Sequence, residues 1–414
     1  MRAAVFGYRA AAYSRDCMRL GVPHYESSGW IAGSIYVRNL VAALQRLPAA
    51  EQPEFMYLAG PRRTRALVRG ARRSGDRLLT YGYYDGRGPL WAGAAALASL
   101  TKGGSARSLT EAAARAEIDV LFPIARPLPA KAPVPWMAWI PDYQCMCLPE
   151  CWPERHRYVA ELATLSTSAR FLVVSSEDAR RHAERFFGRT RNIHALPFPL
   201  VPTDDWYAER PVDVAARYRL PERFVIFPAQ FWKHKDHKTL VAALALLRAR
   251  RHNDINLVLT GWPHDSRDPG HGPAIRRFIA QLGLESQVHV LGLIPRADAV
   301  ALMRRSVAIV QPSRFEGWSA LVEEARSLGK PLVLSDLPVH REQDPPNARF
   351  FAVGEPDDLA DALLAVWTGN EAGPHGWREA VARTRADDRA RDYARRFVAT
   401  AKDAIRVFDE QGDE

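Results

Sequence analysis

A chain of 414 residues with 47% apolar and 25% charged residues has material for two or three globular domains. No run approaches the ~20 apolar residues of a membrane span, and Met1–Asp16 lacks the apolar core of a secretory signal, so a cytoplasmic chain is expected. The net charge of +10 is unevenly placed: residues 1–200 hold 27 Lys and Arg against 16 Asp and Glu, a net of +11, and residues 201–414 carry −1. A basic half points to an anionic partner, a membrane surface or a lipid-linked phosphate, with an arginine-rich composition as the equal alternative. Nucleic acid is not expected, because Arg62, Arg63, Arg65, Arg69, Arg72 and Arg73 lie on segments without interleaved aromatic residues. Cys145, Cys147 and Cys151 fall within seven residues but lack paired CxxC or zinc-finger spacing, so reduced thiols and no metal are expected.

In chain order, Met1–Tyr8 reads as a weak first strand. Ile35, Leu40, Val41 and Leu44 recur at helical spacing, which predicts a helix from near Gly33; a glycine at a helix start lets backbone approach a phosphate. Residues 51–130 alternate weak strands with Arg-rich and Ala-rich helices, and Glu117–Pro123 reads as a buried strand. Trp136–Glu150 (WMAWIPDYQCMCLPE) is an apolar strand running into a turn with Asp142 and Gln144. A carboxylate at the carboxyl end of a strand faces the ligand crevice of an open α/β sheet; a turn-forming aspartate is the equal alternative. After the strand Phe171–Ser175, three prolines in Leu196–Pro202 make a stiff connector, where a domain boundary is expected.

The second half opens with the strand Phe224–Phe227, a polar turn from Lys233 to Lys238, and a helix on Leu240, Ala243, Leu244 and Leu247. Strands follow at Ile255–Leu259, Val288–Leu291 and Val307–Val310, with a helix at Asp298–Arg304 between the last two. Next come a turn with Glu316 and Gly317, a helix on Leu321, Ala325 and Leu328, a terminating Gly329, and the strand Pro331–Leu334. Strands alternating with helices predict a parallel, doubly wound α/β fold. Glu316 and Glu324 stand about two helical turns apart and flank a helix start, where free amides favour a phosphate. Two carboxylates beside a phosphate site suit a sugar nucleotide; taken alone, the pair reads better as solvated glutamates on an amphipathic helix. A last helix is expected at about Asp387–Phe408, with Tyr393, Phe397, Ala401, Ile405 and Phe408 on one face.

Together, Pro312, Ser313, Glu316, Gly317, Trp318, Ser319, Glu324, Gly329 and Pro331 resemble the C-terminal signature of retaining glycosyltransferases of family four. The form FEGWS…EE…GKP…SD…VHREQ is similar to a bacterial surface-polysaccharide subgroup. The resemblance implies the GT-B fold: two Rossmann-like doubly wound domains, 1–198 and 199–386, facing across a cleft, with the last helix (387–414) returning to the first. It implies that Lys235, with backbone at Gly33, Gly317, Trp318 and Ser319, holds a sugar-nucleotide diphosphate, with Ala320 in the same donor site. Glu324 then accepts from ribose hydroxyls, Glu316 touches the hexose, and Gln230 lines the same donor site. Glu342 falls where relatives carry a glutamate after the last turn.

The chain also departs from the family pattern. Ala32 stands for the first glycine of a Gly-Gly pair, Gln230 for an arginine, Ser319 for a second glycine, and Pro141 and Cys145 for histidines, which leaves Asp142 as the acceptor-side candidate. The activity implied is a retaining, metal-independent hexosyltransferase. It would move a mannose-like hexose to a saccharide or lipid-linked saccharide acceptor in cell-surface polysaccharide synthesis, with no cofactor beyond the nucleotide sugar. The leaving phosphate would help to take the acceptor proton. The departures keep open a catalytically inactive sugar-nucleotide-binding partner, and a sugar-nucleotide epimerase of the same fold is the other alternative.

Overall fold

Short apolar runs such as Val225–Phe227 and Leu257–Leu259 are wholly buried, as expected where helices cover both faces of a parallel sheet. The computed structural model describes residues 17–23, 31–59, 77–80, 104–129 and 131–410. The expected strand Met1–Tyr8 and the arginine-rich segment 62–73 lie outside the described residues. The first sheet comprises β1 (Arg19–Pro23), β2 (Glu54–Ala59), β3 (Arg77–Thr80), β4 (Val120–Ile124), β5 (Trp136–Ile140), β6 (Leu172–Val174) and β7 (Ile193–Ala195), in the order β3-β2-β1-β4-β5-β6-β7. The second comprises β8 (Val225–Pro228), β9 (Leu257–Thr260), β10 (Val288–Gly292), β11 (Ile309–Gln311), β12 (Leu332–Ser335) and β13 (Ala348–Phe351), in the order β10-β9-β8-β11-β12-β13. The described pairings are parallel in both sheets.

In the second sheet the strand order reverses between β8 and β11. Ligands of open α/β sheets bind outside the carboxyl ends of the strands flanking such a reversal. Lys235 follows β8 and Glu316 follows β11, so the topology brings together residues 81 positions apart.

Several element bounds shift by one or two residues from the sequence reading, and three differences have a physical reason or a bearing on the site. The helix expected from Gly33 begins at Ile31 and runs to Leu44, which places Gly33 inside its first turn. The strand expected from Glu117 begins at Val120, because Glu117 adopts positive φ (52°), which breaks extended backbone. The last helix begins at Gly376 and ends at Glu410, eleven residues earlier than the aromatic face suggests. Its first turns bury Ala382, Ala386 and Ala390, small residues that leave little hydrophobic periodicity. Near its start, Glu379 accepts from Arg304 Nε and Nη2 at 2.9 and 3.0 Å. Further on, Tyr393, Phe397, Ala401 and Ile405 pack with Leu20, Tyr36 and Trp139 of the first sheet's core, so one helix joins both domains. Phe408 packs against the other core cluster of that domain, beneath the Arg170 guanidinium.

Candidate active site

The site starts from two helix caps. After β8 the chain makes a single turn at Lys233–Lys235. Asp236 then takes a left-handed conformation (φ 53°) and caps the helix His237–Ala249, its Oδ1 accepting from the Thr239 amide at 3.3 Å. Aspartate tolerates that backbone and is a favoured N-cap. The turn is less polar than the sequence suggests: His234 and His237 are buried, and His237 stacks on Phe231 at 4.3 Å. Burial pushes His237 down to about 3 and His234 well below its usual value, so both are neutral at physiological pH.

After β11, Ser319 caps the helix Ala320–Ser327, its hydroxyl accepting from the Val322 amide at 3.2 Å and donating to Gln311 Oε1 at 2.6 Å. Gln311 Nε2 donates to Glu316 Oε1 at 2.8 Å. Lys235 Nζ donates to the same oxygen at 2.6 Å. Burial opposes ionisation of Glu316, but the Lys235 charge and hydrogen bonds outweigh it and hold the carboxyl at about 2. Since His234 is neutral, Lys235 is the counter-charge.

The first domain meets this loop directly. Asp142 lies beyond the end of β5, its Oδ1 accepting from the Gln144 amide at 2.9 Å. A Cβ on Gly317 would stand 2.4 Å from Asp142 Cβ and 2.6 Å from the Pro141 carbonyl oxygen, so the two turns approach as only glycine permits. Burial raises the Asp142 carboxyl; the Gln144 amide opposes this, the Glu316 charge adds to it, and Lys235 and Arg267 oppose it. Asp142, Lys235, Glu316 and Gly317 are therefore one cluster spanning the cleft.

The remaining candidates are distributed around it. Trp318 Nε1 donates to the Phe198 carbonyl at 2.8 Å, tying the loop to the interdomain connector. Glu324 accepts from Arg296 Nη2 at 2.7 Å, a partner not evident in the sequence. Gln230 lies on the β8 loop, where its carbonyl accepts from the Trp232 amide at 2.7 Å. Ala320 opens its helix, where amides lack intrahelical partners. The Ser319 amide, expected at the diphosphate, donates to Gln343 Oε1 at 3.2 Å, a residue whose amide nitrogen also bonds Glu323. Glu342 crosses the cleft, its two oxygens accepting from the Glu177 and Asp178 amides at 2.8 and 3.1 Å. A cavity of about 130 Å³ is lined by Glu316 and Phe315 on one side and by Cys147, Asp178 and His182 on the other. The four cysteines are free thiols.

Residues 215–381 match the family described as "Glycosyl transferases group 1". The alpha-D-kanosaminyltransferase of Streptomyces kanamyceticus is 25% identical over 189 residues, 45% of this chain and 45% of that protein. The GDP-mannose:cellobiosyl-diphosphopolyprenol alpha-mannosyltransferase of Xanthomonas oryzae pv. oryzae is 32% identical over 111 residues, 26% of this chain and 28% of that protein. The chain thus spans less than half the length of either relative. Among solved structures, a glycosyltransferase from Rickettsia africae superposes with a TM-score of 0.63 at 15% identity, covering 95% of this chain and 99% of that one. Anabaena HepE in complex with UDP-glucose gives 0.58 at 15% identity, covering 96% and 100%. The reversed strand orders, the facing domains and the superpositions agree: the chain adopts the two-domain GT-B fold, and residues 215–381 within it are similar to the glycosyl transferases group 1 family.

Proposed function

We propose that the chain transfers a hexose from a nucleoside-diphosphate sugar to a saccharide or lipid-linked saccharide acceptor, with retention of configuration. The observation that carries the reading is the Lys235–Glu316 contact of 2.6 Å at the strand-order reversal, opposite Asp142. In the transfer, the bond from sugar C1 to the phosphate oxygen breaks and a bond from the acceptor oxygen to C1 forms on the same face. The acceptor proton passes to the departing phosphate oxygen. Negative charge grows on the diphosphate as this happens. Lys235 and the Ala320 amide at the helix start offset it, and such preorganised groups act most strongly in the transition state. Glu316 stays ionised and accepts from hexose hydroxyls; Glu324, oriented by Arg296, accepts from the ribose. The cavity beside Glu316 leaves room on the acceptor side, its first-domain wall formed by Cys147, Asp178 and His182.

The donor is expected among the UDP and GDP sugars, since one similar structure holds UDP-glucose and one relative is named for GDP-mannose. Charge in this site is met by lysine and helix amides, so no metal is required; full activity in excess chelator is the expected result, and loss of rate that magnesium or manganese restores overturns it. The test of the function is a thermal-shift screen of UDP, GDP, dTDP and ADP sugars, followed by assay of nucleoside-diphosphate release with and without saccharide acceptors. Stabilisation without turnover identifies an inactive binding partner, and conversion of the sugar with no acceptor identifies an epimerase.

A further inference from the structure

Arg267 reaches out of the second domain in a way that the cluster above does not explain. It lies in the segment after β9, where Asp265 holds it three ways: by its backbone amide at 2.9 Å, by Nε at 3.0 Å and by Nη2 at 3.3 Å. Asp265 is only 2% exposed, so the guanidinium is fixed by a buried charge. Its carbon stands 4.7 Å from the Trp232 ring centroid and 4.8 Å from that of Trp152. Trp232 lies on the β8 loop, three residues before Lys235; Trp152 belongs to the first domain. Arg267 Nη1 also donates to Gln144 Oε1 at 3.3 Å, an oxygen that accepts from Trp152 Nε1 at 2.9 Å. The Gln144 backbone amide in turn holds Asp142. One side chain thus links Asp265 and Trp232 of one domain to Trp152, Gln144 and, through Gln144, Asp142 of the other. The planar, always-charged fork of arginine can stack and donate at once, which lysine cannot.

We propose that Arg267 is a positioning residue for glycosyl transfer: it draws the Trp152 and Gln144 segment onto the second domain and so holds the Asp142 turn against Gly317. Its role in turnover rests on the glycosyltransferase reading; its role in closing the cleft does not. The stacked contacts and the Gln144 hydrogen bond hold the domains together. The Arg267 charge is paired with Asp265 and acts on Asp142 less than Glu316 and Lys235 do, so its part is mechanical.

The experiment compares Arg267→Ala, Arg267→Lys and Trp152→Ala with the wild type, each checked for folding by circular dichroism. Small-angle scattering gives the radius of gyration, titration calorimetry gives UDP and GDP affinity, and nucleoside-diphosphate release from UDP-glucose and GDP-mannose gives rates. Arg267→Ala is expected to enlarge the radius and to lower kcat at least tenfold with nucleotide affinity within twofold. Trp152→Ala should enlarge the radius and lower kcat less. Arg267→Lys keeps the charge without the stacked fork and should lower kcat as Arg267→Ala does. An unchanged radius in Arg267→Ala overturns the proposal, as does a loss of rate that comes through nucleotide affinity with kcat unchanged. A wild type that releases nothing from either sugar nucleotide sinks the transferase reading alone, and the scattering comparison still decides the closure.

Discussion

The two sides of the cleft place a carboxylate at the same topological position and give it opposite character. Glu316, after β11, has a lysine and two glutamines within its hydrogen-bonded network, and its carboxyl is held at about 2. Asp142, after β5, has one backbone amide, and burial raises it. Its neighbours follow suit: burial pushes Tyr143 and Cys147 up to about 12 and Cys145 to about 11. Asp142 and Glu316 are both half-buried, so depth does not separate them. The difference is the supply of cations and donors, which decides whether a buried acid is charged. The second-domain side is an ionised, preorganised surface suited to hydroxyls and phosphate; on the first-domain side burial works against charge and fewer donors offset it.

The largest expected effect comes from making Glu316 resemble Asp142. Lys235→Ala leaves a buried carboxylate without its cation, which costs about 3–5 kcal/mol and should lower turnover at least a hundredfold. The pH dependence should change sign. In the wild type the depressed carboxyl contributes stability that is present above its unfolded pKa and lost as pH falls towards 2. Without Lys235, burial raises the same carboxyl, so the melting temperature should climb as pH is lowered from 7 towards 5. Lys235→Ala with Glu316→Ala should recover stability without recovering turnover. Calorimetric melting at several pH values is the check, and a single mutant as stable as the wild type at pH 7 breaks the comparison.

Next is the seam between the two sides. Gly317→Ala places a methyl 2.4 Å from Asp142 Cβ and against the Pro141 carbonyl, where backbone cannot yield cheaply. Overpacking of this kind typically costs about 1–3 kcal/mol, here by parting the domains. A tenfold or greater loss of rate is expected, with nucleotide affinity little changed. Normal rate in a well-folded variant would show that the two turns need not touch. A smaller effect is expected for Glu324→Ala, which removes a carboxylate held by Arg296. Hydrogen bonds to a charged group are worth about 1.5–3 kcal/mol, so nucleotide-sugar affinity should fall about tenfold or more. Unchanged calorimetric affinity removes Glu324 from the ribose.

Much of the second domain was legible in the sequence, because its strands are short apolar runs and glycine marks where a helix stops. Gly329, for instance, adopts φ 63° after the helix that ends at Ser327. The Glu316 and Lys235 loops were legible because strand, polar turn and helix follow in register. Partner choice was not. The Ser319 amide bonds a glutamine 24 residues on, Glu324 bonds an arginine 28 residues back, and Arg267 reaches a glutamine 123 residues away. Such pairings depend on how elements pack, which periodicity does not encode. The start of the last helix was missed for a related reason, since Ala382 and Ala386 bury little, and the Glu379–Arg304 pair that anchors it is visible only after folding.

The smallest expected effect extends the comparison from the cleft to the whole halves. Residues 1–200 carry a net +11 and the remainder −1, and among the described residues no helix is long and apolar enough to cross a membrane. A lipid-linked acceptor would bring its diphosphate and an anionic surface to the first-domain side. Peripheral binding to anionic vesicles is therefore expected, weak and electrostatic. It should fall steeply with salt, because the Debye length drops from about 10 Å at 0.1 M to about 3 Å at 1 M. Co-sedimentation with neutral and anionic vesicles at both salt levels is the measurement. Charge-reversing surface arginines of residues 1–200 should abolish binding, and the same number of reversals in residues 201–414 should leave it. Equal sedimentation with neutral vesicles, or none with either, returns the arginine excess to composition and leaves the two halves differing only at the cleft.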